Sequence, residues 1–503
     1  MKNFKRFLVE NIDNYSIPLT NDEIKHFQIA IKLDHDIKTK FPHYSTALVG
    51  GACRDLFFRK FFGDIDFKKI NDLDFAIWNN KKNIGLDNNE LIKLAQYISS
   101  TGEYNIVDHI DKFLHVKIFH KSTNYEIEYT STRKESYHDP KSRKPETVIG
   151  TIADDVLRRD FTINAIYLNI LGVDNNHVKV EPLNHVTQRH IDDVRAKILN
   201  TTTSNPNVIF DEDNLRVLRA IRFSKDYKMT DEVDNIVKGF SGEKMLGQVS
   251  IERISEELGK ILQKGDVEYL FKSGFITKIM SDFSDFDDKE YKDNEIDHII
   301  RTIKIAREKA PPGRELVFLL SAFFHDIGKA TTGTFSDNKD RWQFLGHENE
   351  SADKAGKIMR QYKFDNKLIT QVTNIVSQHM VTKFFDKVPD KSIIRWILRC
   401  DDEIQRPHLV QDVLLFNTID WGGKSDEWRE KNYELIKNER AIANKVTYLQ
   451  QKVREIRKKY KDELRAISKE VSQEKGMPPT SIQQAREKRH ANFILGVLKN
   501  EQR

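Results

Sequence analysis

Gly50-Gly51 ends an apolar run, Thr46 to Val49, and a helix-like segment begins at Arg54. A strand, a glycine turn and a helix start, in that order, turn backbone N–H groups and a helix dipole toward an anion. This is the geometry that receives a phosphate. Two Asp-x-Asp pairs follow, Asp64/Asp66 and Asp72/Asp74. Residues two apart on a strand face the same way, so either pair can present the carboxylates that two-metal phosphoryl transfer requires. Asp72-Leu73-Asp74-Phe75-Ala76-Ile77-Trp78 continues as an apolar strand, whereas Asp64-Ile65-Asp66-Phe67 runs into Lys68-Lys69. Asp72/Asp74 is therefore the expected metal strand. Asp64/Asp66 suits an exposed excursion and is the alternative.

A second set of chemically capable groups lies far downstream. His298, His325-Asp326, His347-Glu348 and His379 recur through a helical region, with Asp420 beyond them. Imidazoles and a carboxylate from separate helices can hold a divalent metal and activate water. Any one of these histidines alone reads better as a satisfied structural residue than as a ligand; the ordered set points to a metal. Asp412, two turns before Asp420, offers nearly the same carboxylate. The only cysteines, Cys53 and Cys400, cannot build a disulfide framework and show no metal-ligand spacing. They read as buried thiols in a reducing compartment.

The elements that position these groups divide the chain. At 503 residues it should hold several domains, and its 38% hydrophobic and 32% charged content is that of an ordinary globular protein. A net charge of +5 permits a nucleic-acid partner without requiring one. No apolar run approaches membrane-spanning length, and no long apolar region follows Met1-Lys2-Asn3-Phe4-Lys5-Arg6, so a cytoplasmic protein is expected. Residues 1–40 read as a helical extension, opened by a Thr20/Glu23 capping box and carrying Ile24, Phe27 and Ile31 at helical spacing. Residues 41–171 alternate strand-like runs (Ser45 to Val49, Leu73 to Trp78, Phe113 to Phe119, Tyr125 to Thr130) with a helix over Asn89 to Ser99. Residues 172–285 and 286–430 read as helical, and 431–503 as a charged helical tail. There Lys452, Arg454, Arg457, Lys458, Lys459, Lys461 and Arg465 interleave with Val453, Ile456, Tyr460 and Leu464. That tail is either a solvated amphipathic helix or a basic face for an RNA backbone.

Four motifs in order carry a family resemblance. Gly50-Gly51-x-x-Arg54-Asp55 and Asn71-Asp72-Leu73-Asp74-Phe75-Ala76 resemble the head of class II tRNA nucleotidyltransferases and bacterial poly(A) polymerases, within the DNA polymerase beta superfamily. Arg158-Arg159-Asp160-Phe161-Thr162-Ile163-Asn164-Ala165 and Glu212-Asp213-x-x-Arg216-x-x-Arg219-x-x-Arg222-Phe223 are similar to two later motifs of that family. The histidine block resembles an HD domain of the phosphohydrolase superfamily, which is fused behind the head in some bacterial members. The resemblance implies an α+β multidomain protein. Its polymerase-beta-like head has a mixed sheet with helices; an all-α neck and body (172–285), an HD domain (286–430) and the tail follow.

The same resemblance implies site residues and ligands. Asp72 and Asp74 hold Mg²⁺ and do the catalysis, with Glu128 as a possible third carboxylate. Gly50, Gly51 and Arg54 receive the triphosphate, although Arg54 can equally pair with Asp55. Arg158, Asp160 and Asn164 contact ribose and triphosphate, while Asp213 and Arg216, sharing a helix face, read the base, with Arg219 and Glu212 in the same motif. In the HD domain, His298, His325, Asp326 and Asp420 bind a transition metal or Mg²⁺, with His347 and His379 as further candidates. The implied activity is addition of CCA to tRNA from CTP and ATP. Alternatives are an A-adding polymerase, or an HD phosphohydrolase with an RNA-binding head.

Overall fold

A computed structural model describes residues 14–63, 69–110, 114–136, 146–183, 186–401, 406, 408–473 and 478–501. Asp64 and Asp66 lie outside the described residues. The chain forms two compact units, Met1–Val249 and Ser250–Arg503. The boundary falls inside the 172–285 stretch expected to be one helical segment. The reason is burial: the helix Ile251–Lys264 sinks Ile254, Leu258, Ile261 and Leu262 into the second unit, where it packs on the helix Glu315–Phe324.

The main sheet of the first unit is built from β1 (Tyr15–Pro18), β2 (Tyr44–Val49), β3 (Asp72–Asn79), β4 (Ile84–Gly85), β5 (Tyr104–Ile110), β6 (His115–His120), β7 (Glu126–Ser131), β8 (Tyr167–Asp174) and β9 (His177–Pro182), beside two separate short strand pairs, Arg133–Ser136 with Glu146–Ile149 and Ile198–Leu199 with Lys228–Met229. The main sheet is mixed, in the order β1-β9-β8-β2-β3-β7-β6-β5, with β4 beside β3. Strands β2 and β3 are antiparallel and bring Val49 opposite Asp74. β3 and β7 are parallel, so Asp72 aligns with Glu126 and Asp74 with Glu128. Leu73 and Phe75, pointing the other way, are buried.

The N-terminal extension is corrected by this sheet. The capping box is present, the Thr20 hydroxyl accepting from the Glu23 N–H and the Glu23 carboxylate from the Thr20 N–H. The helix it starts, Asn21–Lys40, nevertheless belongs to the head: Phe27, Ala30, Leu33 and Ile37 are buried, and the helix packs on β2 and β8. β1 is a sheet strand rather than helix, paired with β9. Glu23 is buried too, because Arg59 forks onto it at 2.7 and 2.8 Å and the Ile70 N–H donates to it at 2.8 Å. A buried ion pair ties this helix to the glycine-turn helix and to the lead-in of β3.

Among its described residues the second unit is helical apart from a short hairpin, Thr334–Ser336 with Arg341–Gln343. Its tail forms three helices, Tyr433–Lys459, Lys461–Gln473 and Pro479–Glu501. Val446, Leu449, Val453 and Ile456 are buried on the first of these. Part of the basic stripe is structural: Arg454 pairs with buried Asp401 at 2.6 Å, and Arg457 donates to the Asp401 carbonyl at 3.0 Å. Among the described residues no helix is long and apolar enough to cross a membrane.

Candidate functional site

Gly50 has φ +83°, a left-handed conformation that a side chain resists, and a Cβ there would lie 3.6 Å from Asp74 Oδ2. The helix Gly51–Phe62 that follows has no side-chain cap at its start. Its first N–H groups are therefore left for a ligand beside Asp74. Asp72 and Asp74 are exposed on the face of β3 that also carries Glu128 of β7. A cleft of about 340 Å³ opens there, lined by Asp74, His115, Glu128, Arg133, Arg158 and Arg159 among others. Partial desolvation of the carboxyl within this cleft, reinforced by the negative charge of Glu128, pushes Asp74 up to about 6. A group of carboxylates that resists its own ionisation is one that a cation relieves, so these residues fit divalent metal.

Behind the cleft the Arg-Arg-Asp motif forms a charge network. Asp155 accepts from Arg158 at 2.8 Å, from Arg159 at 3.1 Å and from the Tyr167 hydroxyl. Burial alone would raise that carboxyl, but the two guanidinium groups and Tyr167 hold it at about 2. Arg54 forks onto Asp55 at 2.9 Å and donates its third N–H to Asn164 at 2.8 Å. Asn164 in turn donates to Asp160 at 3.1 Å, and Arg219 to the other oxygen of Asp160 at 2.6 Å. Against its burial, Asp160 is likewise held at about 2, chiefly by Arg219. Of the two readings of Arg54, pairing with Asp55 is the observed one.

In the second unit five helices deliver six groups to one point. His298 comes from the helix Lys292–Lys309, and His325 and Asp326 follow Glu315–Phe324. His347 opens His347–Gln361, His379 follows Asn366–Gln378, and Asp420 lies near the end of Leu409–Gly422. His325 Nε2 is 3.1 Å from His298 Nε2 and 3.1 Å from Asp326 Oδ2; His298 Nε2 is 2.8 Å from Asp420 Oδ1. On the other side of Asp326, His347 Nε2 is 3.3 Å from Oδ1 and 3.3 Å from His379 Nε2. His298, His325 and Asp326 form one ligand group, and Asp326, His347 and His379 a second, with Asp326 shared.

The donor set fits metal. His325, His347 and His379 each set Nδ1 against a backbone carbonyl, of Ala322, Phe344 and Val376, at 2.7–2.9 Å. With Nδ1–H donating, each ring turns its Nε2 inward, where a metal can replace any proton on it. Ring nitrogens converging on a shared carboxylate at such distances are a set that one cation can satisfy together. Asp326 Oδ2 and Asp420 Oδ1 are buried without a well-aligned hydrogen bond. Burial disfavours a charge on His325, yet Asp326 and Asp420 push it up to about 9. Burial instead holds His379 neutral, well below its ordinary value. Asp412, the rival carboxylate, points elsewhere and pairs with Arg314.

Residues 46–199 match the poly A polymerase head domain, and residues 296–396 match the HD domain. The chain thus carries a region similar to the poly A polymerase head domain and, behind it, a region similar to the HD domain. It is 32% identical over 222 residues to tRNA nucleotidyltransferase cca2 of Schizosaccharomyces pombe, covering 43% of each chain. It is 29% identical over 221 residues to the CCA-adding enzyme of Oceanobacillus iheyensis, covering 44% of this chain and 46% of that one. The chain thus spans about half the length of the curated relatives it matches. A solved CCA-adding enzyme in its apo form II superposes with TM-score 0.54 over 95% of this chain and 93% of the other at 18% identity, which establishes a shared fold. A CCA-adding enzyme solved with CTP gives 0.51 over 95% and 94% at 16%.

In the first unit, one expected pairing is not observed. Asp213 and Arg216 do not share a helix face, because the helix Pro206–Glu212 stops at Asp213, which is extended (φ −143°, ψ 103°), and a new helix begins at Leu215. Asp213 accepts the Leu215 N–H at 3.1 Å. Arg216, buried, donates instead to the carbonyls of Ile209 and Arg158 and to Glu212 at 2.9 Å. Residues that sequence reasoning missed are Arg159, whose guanidinium lies beside Gly50, and Asp155. Their i, i+4 spacing was the available signal. In the HD domain Lys329, Lys383 and Lys424 were missed, and only Lys329 had a local clue, three residues after Asp326.

Proposed function

We propose that the head adds C, C and A to tRNA 3′ ends from CTP and ATP. The observation that carries this reading is the Asp72, Asp74 and Glu128 carboxylate face directly beside the Gly50-Gly51 helix start. Asp72 and Asp74 would hold Mg²⁺, with Glu128 as the third carboxylate. When bound, such ions neutralise triphosphate charge and activate the 3′-hydroxyl for in-line displacement. The Gly51 helix start offers N–H donors to the triphosphate, and Arg158 and Arg159 supply positive charge from the cleft wall. The chain from Arg54 through Asn164 and Asp160 to Arg219 holds these elements together, and Asp213 and Arg216, although they share no helix face, are the residues proposed to read the base. The HD domain would be a divalent-metal phosphohydrolase, its ligands being His298, His325, Asp326 and Asp420, with His347 and His379. A cytoplasmic location accords with two buried, unpaired thiols, Cys53 and Cys400.

Incubation with tRNA lacking its 3′ end and each labelled nucleotide decides the head reading. Extension stopping after CCA supports it; a long A ladder assigns an A-adding polymerase; no extension refutes both. Hydrolysis of phosphate esters without extension would leave the HD domain as the sole activity.

A further inference from the structure

Three lysines crowd the HD centre, and their positions differ. Lys329 is nearly buried and committed to two carboxylates, Asp326 and Glu295, each at 2.7 Å. Lys383 and Lys424 lie at the open side. Their side chains are 21% and 19% exposed, whereas the histidines and both aspartates are at most 5%. Lys383 Nζ is 3.2 Å from Asp420 Oδ2; Lys424 Nζ is 3.6 Å from Asp420 Oδ1 and 2.7 Å from His298 Nε2. The two ammonium groups thus bracket one carboxylate from opposite sides.

Lys424 is held there by construction. A Cβ on Gly423 would fall 2.1 Å from Thr302 Oγ1, so only glycine lets this turn press against the His298 helix. Arg301 Nε donates to the Gly423 carbonyl at 2.7 Å and pins the turn. The Lys424 N–H donates to the Trp421 carbonyl at 3.2 Å. A solvated lysine needs no such support.

We propose that Lys383 and Lys424 are the phosphate-binding side of the HD centre, gripping the phosphoryl oxygens of the ester over Asp420. The inference rests on the metal-centre reading above and names how that centre takes its substrate. Charge explains why an anion is required. Lys383 and Lys424 both face Asp420, so a divalent ion that takes the Asp420 carboxylate leaves their positive charge without its partner at the more exposed edge of the site. A phosphate group balances that charge and accepts charge-assisted hydrogen bonds from both lysines.

The test uses the full chain loaded with Mn²⁺, with inorganic phosphate as probe, titrated calorimetrically alongside metal content by mass spectrometry. Lys383→Met and Lys424→Met should each weaken phosphate binding about tenfold, and together about a hundredfold, the loss expected of one charge-assisted hydrogen bond apiece. Mn²⁺ per chain should stay unchanged, and Lys424→Arg should keep most of the affinity. Unchanged phosphate affinity in the double variant overturns the subsite, as does loss of Mn²⁺ in a folded methionine variant, which would make the lysines supports of the ligands. Wild-type protein that takes Mn²⁺ but no phosphate refutes the subsite alone. Wild-type protein that takes no metal refutes the centre itself, so the two failures are distinguishable.

Discussion

The two centres gather their acidic groups by opposite means. In the head, Asp72, Asp74 and Glu128 stand on neighbouring strands, with Asp74 and Glu128 lining a cleft, and bring only oxygen donors. In the second unit, four histidines and two aspartates arrive from five helices and are buried. Oxygen ligands on an open face suit a hard cation that keeps its waters and admits a triphosphate. Imidazoles closed around a shared carboxylate suit a borderline metal and a small reacting group. Strand pairing can place carboxylates in a row, but assembling a nitrogen-rich shell takes helix ends from several directions.

The largest expected effect separates the centres outright. Asp72→Ala with Asp74→Ala should cut nucleotide incorporation at least about 10³-fold, since metal stabilisation supplies several kcal/mol, while phosphatase activity persists. Retained incorporation would move the metal strand to Asp64/Asp66. In the mirror experiment, Asp326→Asn should empty both ligand groups, because Asp326 belongs to each. Asp420→Asn should weaken only the His298 side; metal counted per chain distinguishes the two, with nucleotide addition left measurable in both.

Smaller effects appear in the pH dependence. The low values of Asp155 and Asp160 stabilise the folded head above their ordinary 3.8, and this contribution is lost as pH falls through about 2. Each contributes on the order of 2 kcal/mol. His325 in chelated protein behaves oppositely: its stabilisation is complete below 6.5 and disappears as pH rises through about 9. Chemical denaturation across pH should therefore find the head acid-labile and the metal-stripped second unit alkali-labile. The smallest change concerns selectivity. Arg216→Ala should erode the preference for CTP and ATP over UTP and GTP about tenfold, the loss of one charged hydrogen bond. Unchanged preference would leave Arg216 a purely structural brace for Ile209 and Arg158.

Much of the head was legible because its signals are local. The Thr20/Glu23 box, the Gly50-Gly51 turn and the two-residue spacing of Asp72 and Asp74 each lie within one turn or one strand. Strands β8 and β9 were missed: β8 runs partly exposed through Asn169 to Asp174, with an irregular pairing between Ile170 and Gly172, so it shows no clean alternation. Asp213 and Arg216 were misread for a related reason, since three-residue spacing implies a shared face only while the helix continues. In the tail, the apolar stripe of Val453 and Ile456 was readable, but the pairing of Arg454 with Asp401, far away in sequence, was not.

The sequence by itself determined which groups could do chemistry and how neighbouring ones point, because strand and helix periods follow from backbone sterics within a few residues. Tertiary structure decided which of them meet. Parallel pairing of β3 with β7 brings Glu128 to Asp74, and Asp55 takes the guanidinium of Arg54. Packing of five helices closes His298, His325, His347 and His379 around Asp326. Such meetings depend on apolar faces buried between segments remote in sequence, where local periodicity carries no information about the partner.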